Sequence, residues 1–240
     1  MLLAGGGAAF ALSSGGKSEA QARATLKHAR TTTTTLPAFQ AFTTLTTKVP
    51  ELTAYEQPSE TSKVVSTFSD TTDYKQPRTL LAVNTEPGWW QALLPMRPNG
   101  SMGWVRDADV TPANTNFEIR ISVSAHYLAL YESGEKVLEA QTVMGKPQTP
   151  TPLGKFYVTD PVDLQSRPNG AYGAYALGIS GYSEVLKTFN GGPGQIAIHG
   201  NGQLNTVGTD VSNGCIRVFN DIILQIATKV PLGTPVTIEA

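Results

Sequence analysis

The sequence predicts a mainly β protein made of two strand-built modules behind a structureless leader. Three observations carry that expectation. The composition leans toward strands and turns, with abundant Thr and Val and with 23 glycines and 16 prolines in 240 residues. Short apolar segments separated by turn signals recur from about residue 48 to the end of the chain. Only Asp221–Lys229 has clear helical periodicity, with residues 222, 223, 226 and 227 on one face and Asn220 as the expected N-cap.

The first 47 residues show no pattern that would build a core. Residues 2–12, LLAGGGAAFAL, are apolar and small but too short to span a bilayer. Ala20-Gln21-Ala22 fits a small-residue cleavage pattern, although the usual cationic segment before the apolar run is missing. Residues 1–22 are therefore expected to be a signal-like leader, the alternative being a disordered Gly/Ala-rich extension. Residues 23–47 end in TTTTTLPAFQAFTTLTT and are expected to be a Thr-rich linker. Export places the protein outside the cytoplasm, in the periplasm or cell wall, or tethered to the membrane by its N-terminus.

Over residues 48–112 the segments VPELTAYEQP, SKVVSTF, RTLLAVNT, WWQALLP and GSMGWVRDADV read as short strands, with turns at EPG and RPNG. Such closely spaced strands suggest a small β-barrel. An opening strand at Leu52–Pro58, Gly88-Trp89-Trp90, and Gly103-Trp104-Val105 near the end together resemble a bacterial SH3-like domain. That resemblance implies a module that binds wall polymer or peptide. A spacer whose tryptophans are core residues fits the same residues. Thr111–Asn116 is expected to be a linker.

From Phe117 the strand pattern strengthens. Ile121, Val123, Ala125 and Tyr127 alternate with polar residues, as a half-buried strand requires. Glu132-Ser133-Gly134-Glu135 signals a hairpin, with Lys136-Val137-Leu138 starting the return strand, and Pro235–Ile238 closes the chain as a strand.

Charge and residue inventory exclude several function classes. A formal net charge of −1, with 15% charged residues and no basic run, gives no electrostatic reason to expect nucleic acid as a partner. One Cys and three scattered His offer no zinc-like spacing, and no phosphate-cradling glycine loop joins a strand to a helix. No cofactor is expected.

The lone cysteine carries the chemistry. Cys215 lies in Val211-Ser212-Asn213-Gly214-Cys215-Ile216-Arg217-Val218, sixteen residues after His199, which ends the apolar segment Ile196-Ala197-Ile198 beside Gly200. Cysteine catalysis needs a base to make the thiolate, and amide donors for the oxyanion. Gly214 suits a loop whose backbone approaches a substrate. Of the three histidines, His28 falls in the leader and His126 is expected to be a mid-strand surface residue, which leaves His199. By spacing alone, Cys215 and His199 could equally be core residues.

The surroundings narrow the choice. IHG followed by the Ser-x-Gly-Cys-Ile-Arg-Val run resembles the signature of the YkuD-type L,D-transpeptidase catalytic domain. Ile121–Val137, Val143–Lys146 and Thr149–Phe156 lie upstream in family order, so the resemblance covers roughly residues 117–239. It implies a β-sandwich or barrel-like catalytic domain over 117–240 with one or two short helices. It also implies an acyl-transfer enzyme in which Cys215 is the nucleophile and His199 the general base and acid. Asn213, Gly214 and Cys215 would supply oxyanion amides. The implied substrate is a peptidoglycan stem tetrapeptide with a diamino acid at its third position, which forms a thioester as D-Ala leaves and is passed to an amine. Resolution by water would make an L,D-carboxypeptidase, and a protein amine would make a wall-anchoring enzyme. A wall-binding protein with an inactive domain is the non-enzymatic alternative.

Other residues are expected near the site. Arg217 would bind a substrate carboxylate or brace the cysteine loop, and Ser212 would serve the turn or the thiol. Gly200 would offer its carbonyl to the His199 ring, and Asn201 would line the site. Tyr172 and Tyr175 would form a substrate wall or pack into the core. Three positions depart from common family patterns. Asn213 stands where many members have His, Gly200 where some have Ser, and Arg217 where some have Asn.

Overall fold

In the computed structural model the backbone is described for residues 39–201 and 204–240. The expected leader at 1–22, the first part of the expected linker, and His28 lie outside the described residues. Residues 39–240 form one compact unit.

Two sheets divide the chain. The first contains β1 (Phe42–Thr47), β2 (Glu51–Tyr55), β3 (Val64–Ser69), β4 (Thr79–Glu86), β5 (Trp89–Leu93), β6 (Met102–Arg106) and β7 (Val110–Thr115). Their spatial order is β3-β2-β6-β5-β4-β1-β7, and every pairing is antiparallel. All five apolar segments expected over 48–112 supply strands here. Two expectations need correction. The expected linker does not run to residue 47, because Phe42–Thr47 is a strand paired on both sides. Leu45 is fully buried and Thr44 nearly so, and β-branched threonines suit a half-buried pleat. Likewise most of the expected 111–116 linker is strand β7, zipped to β1 from Phe42↔Thr115 to Thr47↔Val110. A polar composition hid both strands, since strand pairing is made by backbone groups rather than by apolar side chains.

The second sheet starts one residue later. It holds β8 (Phe117–Ser122), β9 (Tyr127–Glu132), β10 (Glu135–Gln141), β12 (Gly154–Asp163), β13 (Tyr175–Tyr182), β14 (Gln195–Asn201), β16 (Ile216–Phe219) and β17 (Pro235–Glu239), in the order β10-β9-β8-β17-β12-β13-β14-β16. A small parallel pair joins β11 (Met144–Gly145) to β15 (Asp210–Ser212). The β8–β17 and β14–β16 contacts are parallel, and the other pairings of the large sheet are antiparallel. The alternation expected through Tyr127 breaks instead at residues 123–126. His126 takes φ 48° there and bonds Asp210 through Nε2 at 2.8 Å, so it sits in a turn rather than mid-strand. The hairpin at Ser133-Gly134 and the closing strand form as expected.

Helix α1 (Asn220–Ala227) packs Ile223 and Ile226 into the core. Asn220 is its first residue, not its cap; the cap is Phe219 and makes no side-chain bond. The Asn220 amide reaches across instead. Its Oδ1 accepts from the Ala174 amide at 2.9 Å and its Nδ2 donates to the Pro168 carbonyl at 3.2 Å. The helix start is thereby fastened to the segment that enters β13.

Strand β12 is buried on both faces. Phe156 and Val158 enter the large core with Ile119, Ile198, Ile216 and Ile223. Tyr157 points the other way, into the core of the first sheet with Leu45, Leu52 and Val105. A second joint lies in the β5–β6 turn. The Asn99 amide donates to the Tyr182 carbonyl at 2.8 Å and accepts from the Tyr182 amide at 2.9 Å, in the manner of a strand neighbour. Arg97 stacks on the Tyr182 ring and donates to the carbonyls of Ser183, Leu186 and Pro193. The loop between β13 and β14 is thus held by the first sheet.

Because Leu45 fills a core instead of lying in a linker, Leu45→Ala should lower unfolding free energy by about 2–5 kcal/mol in chemical denaturation. A residue in an unstructured linker would cost nothing measurable.

Candidate active site

The site is built by the parallel pairing of β14 and β16, with His199 opposite Arg217 and Ile198 opposite Ile216. Along a strand, alternate residues share a face. Ile198, Ile216 and Val218 enter the core, so Ala197 and His199 turn the other way, as do Cys215 and Arg217. Cys215 stands one residue before the Ile198–Ile216 pair, beside Ala197. His199 is therefore its diagonal neighbour, about 8 Å away at Cα from one strand spacing and two residue rises. His199, Cys215, Arg217, Asn213 and Tyr172 together line a cleft lobe of about 190 Å³. A larger lobe of about 550 Å³ meets it at Cys215.

The cysteine loop is braced from within and from behind. Ser212 is fully buried. Its hydroxyl donates to the Cys215 carbonyl at 2.7 Å and accepts from the Gly214 amide at 3.1 Å, so it serves the turn. Gly214 adopts φ +115°, where an L side chain is strained. Behind the loop, Thr151 Oγ1 donates to the Gly214 carbonyl at 3.0 Å and accepts from the Gly145 amide at 2.9 Å. The Lys146 amide donates to the Ser212 carbonyl at 3.0 Å. In the sequence Thr149–Phe156 stands only as a stretch in family order. The one sign of this brace was two threonines among prolines, an unexpected place for side chains that are buried.

His199 is 2% exposed. Its Nδ1 faces the Gly200 carbonyl at 2.8 Å, which makes Nδ1 the protonated nitrogen of the neutral ring. This is the carbonyl role expected of Gly200. A side chain there has no room, because its Cβ would run into the Asn220 amide and lie 3.0 Å from the Ala174 nitrogen. The Tyr172 ring meets the imidazole edge-on at 5.0 Å between centroids. Arg217 Nε is buried without a hydrogen-bond partner, and its side chain lines the smaller lobe.

The remaining expectations divide. Tyr172 faces the cleft, whereas Tyr175 opens β13 and packs against the apolar core. Asn201 ends β14 with its Nδ2 donating to Thr206 Oγ1 at 3.0 Å. Phe189 and Asn190 line both lobes, and Leu186 lines the smaller one. Nothing local in the sequence places these three, because their loop is positioned by distant residues, Arg97, Asn99 and Tyr172. Among the described residues no three His, Cys, Asp or Glu side chains cluster to hold a metal ion.

Burial governs the electrostatics. It pushes the His199 imidazole down to about 4; the Gly200 and Tyr172 carbonyls oppose that shift and the Arg217 charge adds to it. It pushes the Cys215 thiol up, against the opposing pull of the Ala197 amide and Arg217. Burial thus favours the uncharged form of each group, a thiol and a neutral imidazole.

The L,D-transpeptidase catalytic-domain model, YkuD, matches residues 116–238. The chain belongs to that family. It is 35% identical over 134 residues to the Bacillus licheniformis protein named "Putative L,D-transpeptidase YkuD", covering 56% of this chain and 70% of that one. The Bacillus subtilis protein of the same name is 34% identical over 128 residues, covering 53% and 69%. Among solved structures, an Enterococcus faecium L,D-transpeptidase bearing a cysteine-to-serine substitution overlays with TM-score 0.40 at 25% identity, over 51% of this chain and 49% of that one. The cleft of this L,D-transpeptidase family member carries its single cysteine together with His199 and Arg217.

The depressed imidazole has a consequence for stability. Unfolded, the ring protonates near its ordinary value of about 6.5; folded, it stays neutral down to about 4. Between those values the unfolded chain binds more protons, so stability falls as pH falls through that window. Denaturation at pH 7 and pH 4.5 should show the unmutated protein losing about 2–3 kcal/mol more than His199→Asn.

Proposed function

We propose that this protein is an exported peptidoglycan L,D-transpeptidase in which Cys215 is the nucleophile and His199 the general base and acid. The observation that supports this most is the convergence in one cleft, in a chain of this family, of Cys215, His199 and Arg217, whose buried Nε has no hydrogen-bond partner among the described residues.

Because both groups start neutral, proton transfer accompanies attack. His199 takes the thiol proton as sulfur bonds to the carbonyl between the third stem residue and the terminal D-Ala. The oxyanion needs amide donors. The Gly214 amide is engaged with Ser212, so the Asn213 and Cys215 amides are the donors assigned here. The imidazolium then protonates the leaving amine, the C–N bond breaks, and D-Ala departs from a thioester. An acceptor amine attacks the thioester and gives its proton to His199, which returns it to the sulfur. The planar fork of Arg217 suits the free carboxylate of the terminal D-Ala. The Tyr172 ring shields one edge of the imidazole and keeps it from solvent.

The first sheet is assigned as an SH3-like module that holds the enzyme on wall polymer. Trp89 and Trp90 there are only half-buried and line a surface pocket with Asp107. Exposed aromatic faces of this kind suit carbohydrate or peptide contacts.

Incubation with a disaccharide tetrapeptide followed by mass spectrometry tests the reading. Dimers joined between two third-position residues are expected, with release of D-Ala. Tripeptide monomers alone would instead make water the acceptor. Cys215→Ala should abolish turnover, and His199→Ala should lower it by about 10²–10⁴-fold. Full activity in either variant contradicts the assignment.

A further inference from the structure

The row that carries Cys215 continues across the sheet. Asp160 of β12 pairs with Gly178 of β13, and Gly178 pairs with Ala197 of β14. Ala197 in turn lies beside Cys215, by the register of β14 and β16. Within the row only a glycine and an alanine separate the thiol from the carboxylate, and the Gln195 amide lies over Gly178, 3.1 Å from where a Cβ would stand, in the floor of the larger lobe. Three strand spacings of about 4.8 Å separate the two ends, roughly 14 Å at Cα.

Asp160 is 2% exposed. Its Oδ2 accepts from Gln195 Nε2 at 3.0 Å, while Oδ1 is buried with no hydrogen-bond partner. An unpaired buried carboxylate oxygen is costly, and a native structure that keeps one calls for an explanation. The side chain lines the same lobe as Cys215. Asp73 and Tyr74, from the β3–β4 loop of the first sheet, close the lobe, and among the described residues no lysine or arginine lines it. The Tyr74 phenol is pushed up, first by burial and then by the Asp160 charge, with Asp73 adding to it. The cleft is therefore polarised, with Arg217 on one side of the thiol and carboxylates on the other.

We propose that Asp160, at the end of the Gly178–Ala197 groove, binds a primary ammonium at the tip of a four-carbon side chain on the acyl-donor residue. This rests on Cys215 being the acylated group. From the acylated carbonyl carbon to such a nitrogen is six bonds, about 7 Å extended, judged from a reach of 3.3–3.6 Å for every three bonds. With the carbon–sulfur bond at one end and a charge-assisted hydrogen bond of about 2.8 Å at the other, the arm bridges the groove. A one- or two-carbon arm falls short. Asp73 adds negative charge at the lobe's mouth and Tyr74 covers it, so the first sheet completes the donor site.

The test compares two synthetic tetrapeptide donors that differ only at the third residue, lysine against norleucine, which lacks the amine. Acyl-enzyme formation is followed by intact-protein mass spectrometry. The unmutated protein should be acylated about 10- to 100-fold faster by the lysine donor. Asp160→Asn, which keeps the shape and the Gln195 contact, should shrink that ratio toward one. A merely structural role would lower both rates and leave the ratio intact. Equal rates on the unmutated protein, or an undiminished ratio in Asp160→Asn, overturn the ammonium site while leaving Cys215 as the nucleophile. Acylation by neither donor overturns the Cys215 reading itself, and this inference with it. If Asp160→Asn does not fold, the donor comparison on the unmutated protein still decides, and Asp73→Asn should reduce the ratio in the same direction.

Discussion

The parallel pairing of β14 with β16 is the constraint on which the cleft depends. The pairing sets His199 opposite Arg217 and leaves Cys215 beside Ala197, on the face away from the isoleucine core. A slip of one residue would turn the thiol and the guanidinium into the core and expose Ile216 and Val218, so apolar burial specifies the register strongly. At roughly 1.5–3 kcal/mol for each fully buried isoleucine or valine, Ile198, Ile216 and Val218 hold that register far more firmly than any polar contact in the cleft. The Ser212 and Thr151 hydrogen bonds then shape the loop that the register has delivered.

That burial also decides the chemistry available at rest. A ring enclosed by Tyr172, the Gly200 carbonyl and the sheet loses its charged form, and the neighbouring thiol keeps its proton. A site that rests neutral avoids the cost of an ion pair in a dry cleft. Arg217 pushes both groups down, toward a neutral ring and an ionised sulfur, so one cation tunes both partners.

Much of this was legible from residue order. The strand expected up to His199, the turn at Ser133-Gly134, the closing strand and the helix at Asn220–Ala227 correspond to elements of the fold, whereas the alternation expected from Ile121 to Tyr127 breaks after Ser122. The carbonyl role of Gly200, which needs no side chain, was legible too. Features that depend on long-range contacts were not legible. Thr44 and Thr115 read as linker because their burial comes from a pairing between segments about seventy residues apart. Asn220 looked like a cap because nothing local reveals that Ala174 and Pro168 will arrive beside it. Asp160 sits in a strand 55 residues before the cysteine, and only the register across β12, β13 and β14 places it in the same row.

The two sheets meet at that site. Tyr157 locks β12 into the first core, Arg97 and Asn99 hold the β13–β14 loop, and Tyr74 reaches the larger lobe. The first sheet therefore shapes the cleft wall as well as any surface of its own. The central claim is that the cleft acylates at Cys215. Proteolytic peptide mapping after brief exposure to a stem tetrapeptide tests it most directly. The account predicts a tripeptide-sized mass increment confined to the fragment containing Cys215, labile to hydroxylamine as a thioester is. The same increment on any other fragment, or on the Cys215→Ala protein, would contradict it.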